Sequence, residues 1–444
     1  MTRTAARDIA LQVLTACRVN HAWADAALKA RLGTAELCPA DAALCSRIVY
    51  GVLQNRLLLD YDLAAFCTQK LEKLQPPLQD ILRIGAYQIL FLDKVPVSAA
   101  VNESVELAKR NGRAGAAGLV NAVLRRLAQS HCALPPLPQE PLARLSILYS
   151  HPKWLVERMV ALLGATEAEQ YLQRNNAAAP LTVQVNPLRT DKTALIEELV
   201  RCGVQVQEHS WIPDCLNLGA TGDLNALPAF CSGEFLVQDG AAHLAALAAG
   251  VRPGQRVLDV CAAPGGKSFA IALAMADRGE ILSCDLHENK LKRIREGARR
   301  LGLTCIRTIA ADARVFRPEW AAAFDTVVCD VPCSGLGIIR KKPDVRYKDP
   351  QELTALPAIQ RAILDNSARY VGPGGTLLYS TCTVLPEENE QVIQSFLSAH
   401  PDFSCDSFAL PAPVSTVNGQ ITLWPQRHDT DGFYICRMTR RTHD

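Results

Sequence analysis

Two cysteines follow predicted strands at positions where they could do chemistry. The segment Asp330-Val-Pro-Cys333-Ser-Gly335 comes after one buried apolar run, and Ser380-Thr-Cys382-Thr383 comes after the next. Because ligands sit at the carboxyl ends of the strands in an open α/β sheet, we expect both thiols to face one crevice. A thiolate is a nucleophile, and positive surroundings such as the following Arg340, Lys341 and Lys342 favour its formation.

The other cysteines are interpreted as structural. The chain has 444 residues and 16 cysteines, none in a C-x-x-C pair, which argues against a zinc ribbon or a thioredoxin-type redox site. Charged residues interrupt the apolar residues of segment 1–20, so we expect no secretory signal, a cytoplasmic location and no disulfide framework. Apart from Cys333 and Cys382, the cysteines are predicted to be small buried hydrophobic residues.

Acidic residues end the predicted strands of the same region: Asp259, Asp285, Asp312 and Asp330. After the first of them comes a short loop with two glycines, Cys261-Ala262-Ala263-Pro264-Gly265-Gly266-Lys267. The glycines permit a tight turn, and the helix that follows offers free N–H groups to an anionic group. Asp285 lies where a carboxylate binds a ribose diol in dinucleotide folds, about 20 residues beyond the glycines.

These residues favour S-adenosylmethionine over other nucleotide cofactors. The dinucleotide pattern G-x-G-x-x-G is absent, and a P-loop would need glycine where the chain has Cys261. A cationic ligand with a ribose and little phosphate suits a short glycine loop among acids. The alternative is that the four acids only cap strand ends and bind nothing.

Methyl transfer to carbon 5 of cytosine is a reaction that uses two thiols. One thiolate adds to carbon 6 and makes carbon 5 nucleophilic, and a second thiol assists release of the product. Asp330 could hydrogen-bond N3 and the amino group of the base, which makes carbon 6 more electrophilic. The base must leave its stack to reach such a pocket.

The motifs together resemble the RNA 5-methylcytosine methyltransferases of the NOL/NOP2/Sun family. The resemblance rests on Val257–Lys267, Asp330-x-Pro-Cys333-Ser-Gly335, Ser380-Thr-Cys382-Thr383 and Asp431-Gly-Phe-Tyr434. It extends over the whole chain, since the first part resembles a NusB-type RNA-binding domain through three segments: Arg7–Val13, Tyr50–Val52 and Asn102–Ala108. That arrangement is typical of bacterial enzymes that act on 16S ribosomal RNA.

The resemblance implies a role for each site residue. Cys382 would be the nucleophile, and Cys333 would assist product release. The loop Cys261–Lys267, with Asp285, Asp312 and Asp330, would hold S-adenosyl-L-methionine. Val331 and Thr383 depart from the family pattern, which usually has alanine and serine there, and both stand beside the reacting groups.

The elements that position these residues predict a multidomain fold. Residues 1–138 are predicted as an all-α NusB-like domain and 145–233 as a small α/β linker or RNA-recognition domain. Residues 234–444 alternate strands and helices, which predicts an α/β Rossmann-like class I methyltransferase domain on a parallel sheet. Two late runs, Gln420–Leu423 and Gly432–Arg437, predict an antiparallel hairpin at one edge of that sheet.

The net charge of +2 conceals an uneven distribution. Residues 1–144 carry 17 basic and 12 acidic side chains, a net charge of +5. A run without acids between Leu107 and Gln139 contains Lys109, Arg110, Arg113, Arg125 and Arg126. It is interpreted either as a solvated helix face or as a phosphate-contacting patch, and 340–348 is the other basic candidate.

Three functions remain possible at this point. The leading hypothesis is a methyltransferase that modifies 16S ribosomal RNA as a monomer, without a metal and without a membrane span. A second applies the same chemistry to transfer RNA or 23S RNA. A third is a non-catalytic RNA-binding or ribosome-assembly factor, for which we would expect an eroded site with a lost cysteine or acid.

Overall fold

The computed structural model describes residues 6–20, 22–130 and 134–442. They form two compact units: the first takes in the chain up to residue 177 together with 339–348, and the second takes in 178–338 and the chain from 349. Within these residues no helix is long and apolar enough to cross a membrane, and no cluster of three His, Cys, Asp or Glu side chains could hold a metal ion. The domain limits 1–138, 145–233 and 234–444 stay a prediction.

The first unit is built of α-helices. Proline opens several of them, since a residue in the first turn needs no N–H for the helix ladder. Its helices are α1 (Ala6–Val19), α2 (Ala24–Leu32), α3 (Pro39–Ala64), α4 (Pro76–Phe91), α5 (Val97–Arg110), α6 (Ala117–Gln129), α7 (Pro141–Leu148), α8 (Lys153–Leu163) and α9 (Ala165–Asn176). Apolar side chains of these helices form its core, with Val13, Ile84 and Leu124 fully buried.

A segment of later sequence, 339–348, also belongs to the first unit. Arg346 is fully buried there, and its Nη1 donates to the carbonyl oxygens of Gln54 at 2.9 Å and Ser150 at 3.0 Å. Arg340 is buried as well. Two of the basic side chains of this segment are therefore buried, and the partly exposed ones are Lys341, Lys342 and Lys348.

A small antiparallel sheet begins the second unit. It has the order β2-β3-β1-β4 and consists of β1 (Leu181–Val185), β2 (Gln205–Glu208), β3 (Cys215–Gly219) and β4 (Phe235–Val237), with helices α10 (Lys192–Arg201) and α11 (Pro228–Cys231). Asp191 caps α10 by accepting the amide of Ala194 at 3.0 Å. Strand β4 has three residues and is too short to show a periodic pattern in the sequence.

The large sheet has the order β10-β12-β9-β8-β5-β6-β7, with β11 paired to β12. Its strands are β5 (Arg256–Asp259), β6 (Glu280–Asp285), β7 (Ile306–Ala310), β8 (Phe324–Asp330), β9 (Val371–Thr381), β10 (Phe403–Cys405), β11 (Gln420–Leu423) and β12 (Phe433–Arg440). The helices are α12 (Gly240–Ala248), α13 (Gly266–Ala274), α14 (Glu288–Leu301), α15 (Pro350–Leu353), α16 (Leu356–Ala368), α17 (Glu390–Ala399) and α18 (Pro425–His428). Strands β5 to β9 pair in parallel, and β10 to β12 add an antiparallel edge.

The fold class and the edge hairpin are confirmed, and one strand contains an irregular segment. Strand β9 runs from Val371 to Thr381 and includes four residues with turn-forming composition. Gly372-Pro-Gly-Gly375 has the composition of a turn. Val371 pairs with Phe324 and Thr376 pairs with Thr326, and the register shifts between these pairs, so residues 372–375 form an irregularity within β9.

Candidate active site

The parallel strands end at one edge of the sheet, and backbone hydrogen bonds join the loops that follow them. The amide of Ala262 donates to the carbonyl of Cys284 at 2.7 Å, which ties the loop after β5 to the end of β6. The amide of Val331 donates to the carbonyl of Ser380 at 3.2 Å, which ties the loop after β8 to β9. The predicted site residues therefore lie along one edge in the order of their strands.

The glycine loop between β5 and α13 is built around Gly265. Its φ of 111° is a conformation that other residues rarely adopt, and a Cβ there would lie 2.5 Å from the Phe269 ring. Gly266 is the first residue of α13, and the atom that a Cβ there would meet within 4 Å is Nε2 of Gln238, at 3.4 Å. The N-terminus of α13 is thus left open for a ligand to approach the backbone.

The remaining loop residues differ in exposure. Ala262 is buried, Cys261 and Ala263 are half-buried, and Pro264 is exposed. Burial raises the pKa of the Cys261 thiol well above its usual range, with nearby Cys329 and Asp259 acting in the same direction. Cys261 is therefore a neutral thiol. It would contribute to a cofactor site by backbone contacts and by the volume of its side chain.

Asp259 ends β5 in full burial. Its Oδ2 accepts a hydrogen bond from Ser268 Oγ at 2.7 Å, and that hydroxyl lies 2.7 Å from Ser283 Oγ. Burial raises the pKa of Asp259 to about 7, and the Asp330 carboxylate adds to the rise. Oδ1 has no hydrogen-bond partner among the residues that the structure describes, so one buried oxygen remains for a ligand donor.

Asp285 and Asp312 follow the next two strands and have different partners. Asp285 Oδ1 accepts the amide of His287 at 3.1 Å and lies 3.3 Å from the Lys290 ammonium. Both oxygens of Asp312 accept from Arg314, whose Nη2 lies 2.7 Å from Oδ2. This hydrogen bonding lowers the pKa of Asp312.

Lys267 and Asp330 form an ion pair between the loop after β5 and the end of β8. The Lys267 ammonium is 2.8 Å from Oδ2 of Asp330, and Ser380 Oγ donates to Oδ1 at 2.9 Å. Lys267 is buried and its ammonium lies over the Phe433 ring. Lys267, predicted only as part of the cofactor loop, therefore also fixes the orientation of Asp330.

The two candidate cysteines are in contact. Their Sγ atoms are 3.3 Å apart, and both side chains are partly exposed. The hydrogen bond to Cys382 raises the pKa of Cys333 well above its usual range, and burial and the charge of Glu388 contribute. Cys333 is thus held in the thiol form beside the sulfur of Cys382.

Two glycines permit this close approach. The amide of Gly337 donates to the carbonyl of Cys382 at 2.9 Å, and the amide of Gly432 donates to the carbonyl of Gly337 at 2.8 Å. A Cβ on Gly337 would lie 1.9 Å from the Gly432 oxygen. The segment 431–434, which the sequence identified only as a family motif, therefore packs directly against the loop that follows Cys333.

Two buried polar residues at this edge, Glu388 and Gln238, were not predicted from the sequence. Glu388 lies shortly after Cys382 and accepts the amide of Ser334 at 2.8 Å. The side-chain nitrogen and oxygen of Gln238 are buried and have no hydrogen-bond partner in the described part of the chain. Gln238 immediately precedes Asp239, the N-cap of α12, and such a polar pair beside a helix start is the signal that could have identified it.

Comparison with known proteins places the chain in a family. Residues 246–439 match the 16S rRNA methyltransferase RsmB/F family, residues 4–129 match the NusB family, and residues 151–225 match the ferredoxin-like domain of RsmF/B-like methyltransferases. The probable ribosomal RNA small subunit methyltransferase B of Bacillus subtilis (strain 168) is 38% identical over 451 residues, which cover 99% of this chain and 100% of that protein. The chain belongs to the RsmB/F family of rRNA methyltransferases. Its methyl donor is S-adenosylmethionine.

Other relatives and solved structures are also similar to this RsmB/F family member over most of its length. The probable ribosomal RNA small subunit methyltransferase B of Synechocystis is 34% identical, with 98% of this chain and 99% of that protein covered. The crystal structure of PH0851 superposes with a TM-score of 0.82 at 27% identity and covers 99% of each chain. NSun6 from Pyrococcus horikoshii, solved with SFG, has a TM-score of 0.59 at 22% identity over 67% of this chain and 100% of its own, and shows the fold alone.

Proposed function

We propose that this methyltransferase acts on carbon 5 of a cytosine in 16S ribosomal RNA through a covalent cysteine–cytosine adduct. The observation that carries the proposal is the 3.3 Å contact between the Cys333 and Cys382 sulfurs at adjacent strand ends. One of the two thiols in contact can attack a pyrimidine ring while the other assists release, and Asp330 ends the strand that Cys333 follows. The relatives named as small subunit methyltransferases support 16S RNA as the substrate.

Cys382 is the proposed nucleophile. Its thiolate adds to carbon 6 of the cytosine, and the electron pair of the C5–C6 double bond moves to carbon 5, which can then take up a methyl group. The Asp330 carboxylate accepts a hydrogen bond from the exocyclic amino group of the base and so orients the ring for the addition. The Asp330 side chain is 32% exposed, so a base that has left its stack can reach it.

Cys333 acts in product release. After methylation, carbon 5 carries both the methyl group and a proton; loss of that proton to solvent restores the C5–C6 double bond and expels the Cys382 sulfur. The Cys333 thiol, within contact of that sulfur, can donate a hydrogen bond or a proton to it as the bond breaks. Its raised pKa keeps the proton available at neutral pH.

The residues around the glycine loop fit S-adenosylmethionine, which when bound supplies an electrophilic methyl group on a sulfonium. The open N-terminus of α13 at Gly266 suits a carboxylate, and the unpartnered Oδ1 of Asp259 suits an ammonium. Asp285 would hold the ribose diol, and the unpartnered amide of Gln238 offers a further contact. Asp312 would contribute only if Arg314 moved away from its carboxylate.

Bisulfite sequencing of ribosomal RNA from a deletion strain tests the proposal. We expect one 16S cytosine to lose its protection from bisulfite conversion in the deletion strain and to regain it with the wild-type gene. The same cytosine should remain convertible with the Cys382→Ala gene. Unchanged 16S methylation would contradict the assignment, and the same maps of 23S and transfer RNA would reveal the alternative substrates. A non-catalytic factor would give no heat on titration with S-adenosylmethionine, whereas we expect binding.

A further inference from the structure

Glu388 is a buried carboxylate that the proposed reaction does not use. It is 1% exposed, and no ion pair to a Lys or Arg is present for it within the described residues. Its charge is instead stabilised by hydrogen bonds: Oε2 accepts the amide of Ser334 at 2.8 Å and Nε2 of Gln360 at 2.9 Å. Burying a carboxylate without a cation is costly, which points to a purpose other than stability.

The partners of Glu388 belong to the two loops that carry the thiols. Ser334 follows Cys333 directly, and Thr383 follows Cys382 directly. Ser334 Oγ donates to Thr383 Oγ1 at 2.7 Å, and Thr383 Oγ1 is 3.4 Å from Oε1 of Glu388. A closed set of polar contacts therefore joins the residue after one thiol to the residue after the other.

Further hydrogen bonds fix the backbone of Glu388 and the loop before Cys333. The backbone carbonyl of Glu388 accepts the Tyr379 hydroxyl at 2.6 Å, which fixes it to β9. Gln360 Nε2 also donates to the carbonyl of Pro332 at 3.0 Å, so the residue before Cys333 is held by α16. The position of the Cys333 loop is thus set by Glu388 and its neighbours, because the thiol contact itself is weak.

We propose that Glu388 is a positioning residue that holds the loops of Cys333 and Cys382 at thiol–thiol contact through Ser334 and Thr383. The role of this spacing in methyl transfer rests on the proposed function, whereas the spacing itself does not. The carboxylate also keeps a negative charge near Cys333. This favours the thiol over the thiolate there and leaves the nucleophilic role to Cys382.

The spacing is tested without RNA by oxidising the purified full-length protein with diamide. Two thiols in contact are oxidised to a disulfide while diamide is reduced to the hydrazine, and mass spectrometry of peptides measures the Cys333–Cys382 link. We expect Glu388→Ala to slow this link at least tenfold. Glu388→Gln should stay within threefold of wild type, because the amide can accept from Ser334 and donate to Thr383.

The matched control is Glu390→Gln, an exposed carboxylate nearby. If Glu388→Ala does not fold, Thr383→Val and Thr383→Ser replace it: only the valine variant loses the hydroxyl, so only it should slow the link. A folded Glu388→Ala or Thr383→Val variant that forms the disulfide at the wild-type rate would overturn the proposal. A Glu388→Gln rate as low as that of the alanine variant would also contradict it.

The catalytic consequence is measured separately by methyl transfer to a 16S fragment. We expect Glu388→Ala to lower kcat at least tenfold with KM for RNA within threefold, and Glu388→Gln to shift the pH profile while it keeps most of kcat. Equal kcat for Glu388→Ala and wild type would refute the link to catalysis. If the wild-type protein itself does not methylate cytosine, the proposed function fails while the diamide result still decides the role of Glu388.

Discussion

The Lys267 ammonium lies 2.8 Å from Oδ2 of Asp330 and 4.7 Å from the centre of the Phe433 ring. Lys267 is buried, so this cation has little contact with water and depends on its partner. Removing one member of such a pair leaves the other charge poorly compensated, which costs more than the pair contributes. The orientation of Asp330 toward the crevice is therefore coupled to Lys267.

Lys267→Met is expected to lower kcat about 100-fold, because a misplacement of about 1 Å at a reacting group has that effect. Single-turnover methyl transfer with Lys267→Met, Asp330→Asn and the double variant measures the coupling. We expect the double variant to lose little more than either single one. The exposed Lys292→Met serves as the control, and additive losses would refute the coupling.

The two cysteines should fail in different ways. Cys382→Ala is expected to lower methyl transfer about 10³-fold or more and to form no protein–RNA adduct, because the nucleophile is lost. Cys333→Ala should accumulate a covalent adduct, since attack remains while release slows. A denaturing gel with labelled RNA separates the outcomes, and the exposed Cys231→Ala is the control. An adduct with Cys382→Ala would reverse the assigned roles.

Gly337→Ala should reduce activity by forcing the loops around the thiols apart. The new Cβ would lie 1.9 Å from the Gly432 carbonyl oxygen and 2.9 Å from the Cys382 oxygen. We expect a stability loss of about 1–3 kcal/mol from overpacking and a fall in kcat larger than the fall in folded protein. Thermal melting and single-turnover rates measure both, with Gly118→Ala, where the added methyl meets open space, as the control. Wild-type kcat in Gly337→Ala would contradict the expected crowding.

Asp62 makes the stability of the helical unit depend on pH. Neither of its buried oxygens has a hydrogen-bond partner among the described residues, and burial raises its pKa to about 6. Because the folded-state pKa lies above the unfolded-state value of 3.8, the stabilising contribution is complete at low pH and is lost as the pH rises through about 6. Urea unfolding at pH 5 and pH 8 should show a loss of about 1–2 kcal/mol that Asp62→Asn abolishes. The exposed Asp93→Asn should keep the wild-type dependence; equal loss in Asp62→Asn would exclude Asp62 as the cause.

RNA binding is expected to use α6 rather than segment 340–348. Arg125 and Arg126 are exposed, and Arg125 Nε donates to Asn121 at 2.9 Å, whereas Arg346 is fully buried. Replacing both exposed arginines by glutamine should flatten the log–log salt dependence of RNA binding by about 0.7–0.9 per lost phosphate contact. The exposed Lys292→Gln is the control for charge alone. An unchanged slope in the double variant would exclude this patch.

Much of the fold was predictable because its signals are local. Short apolar runs that end in acids predicted strands β5 to β8, and periodic apolar residues predicted the helical character of residues 1–138. Strands β4 and β10 have three residues each and are too short to show a period. The irregularity between Val371 and Thr376 in β9 depends on pairing with β8, which no local pattern reveals.

The positions of the site residues could be predicted because they follow strand ends, whereas their side-chain partners could not. Cys333 and Cys382 follow adjacent strands, so their proximity could be foreseen, but their 3.3 Å contact depends on Gly337 and Gly432, which are far apart in sequence. The burial of Arg346 could not be foreseen, since its partners are carbonyl groups from Gln54 and Ser150.

Strand β12 has a consequence for how the enzyme matures. It pairs with β9 from Tyr434–Thr381 to Thr439–Thr376, so it completes the strand that leads to Cys382. Residues 433–440 follow Lys267, Asp330 and both thiols in the chain. During translation β9 therefore keeps an open edge until β12 has been synthesised. The strand that leads to Cys382 cannot complete its pairing before then, although both thiols are already part of the chain.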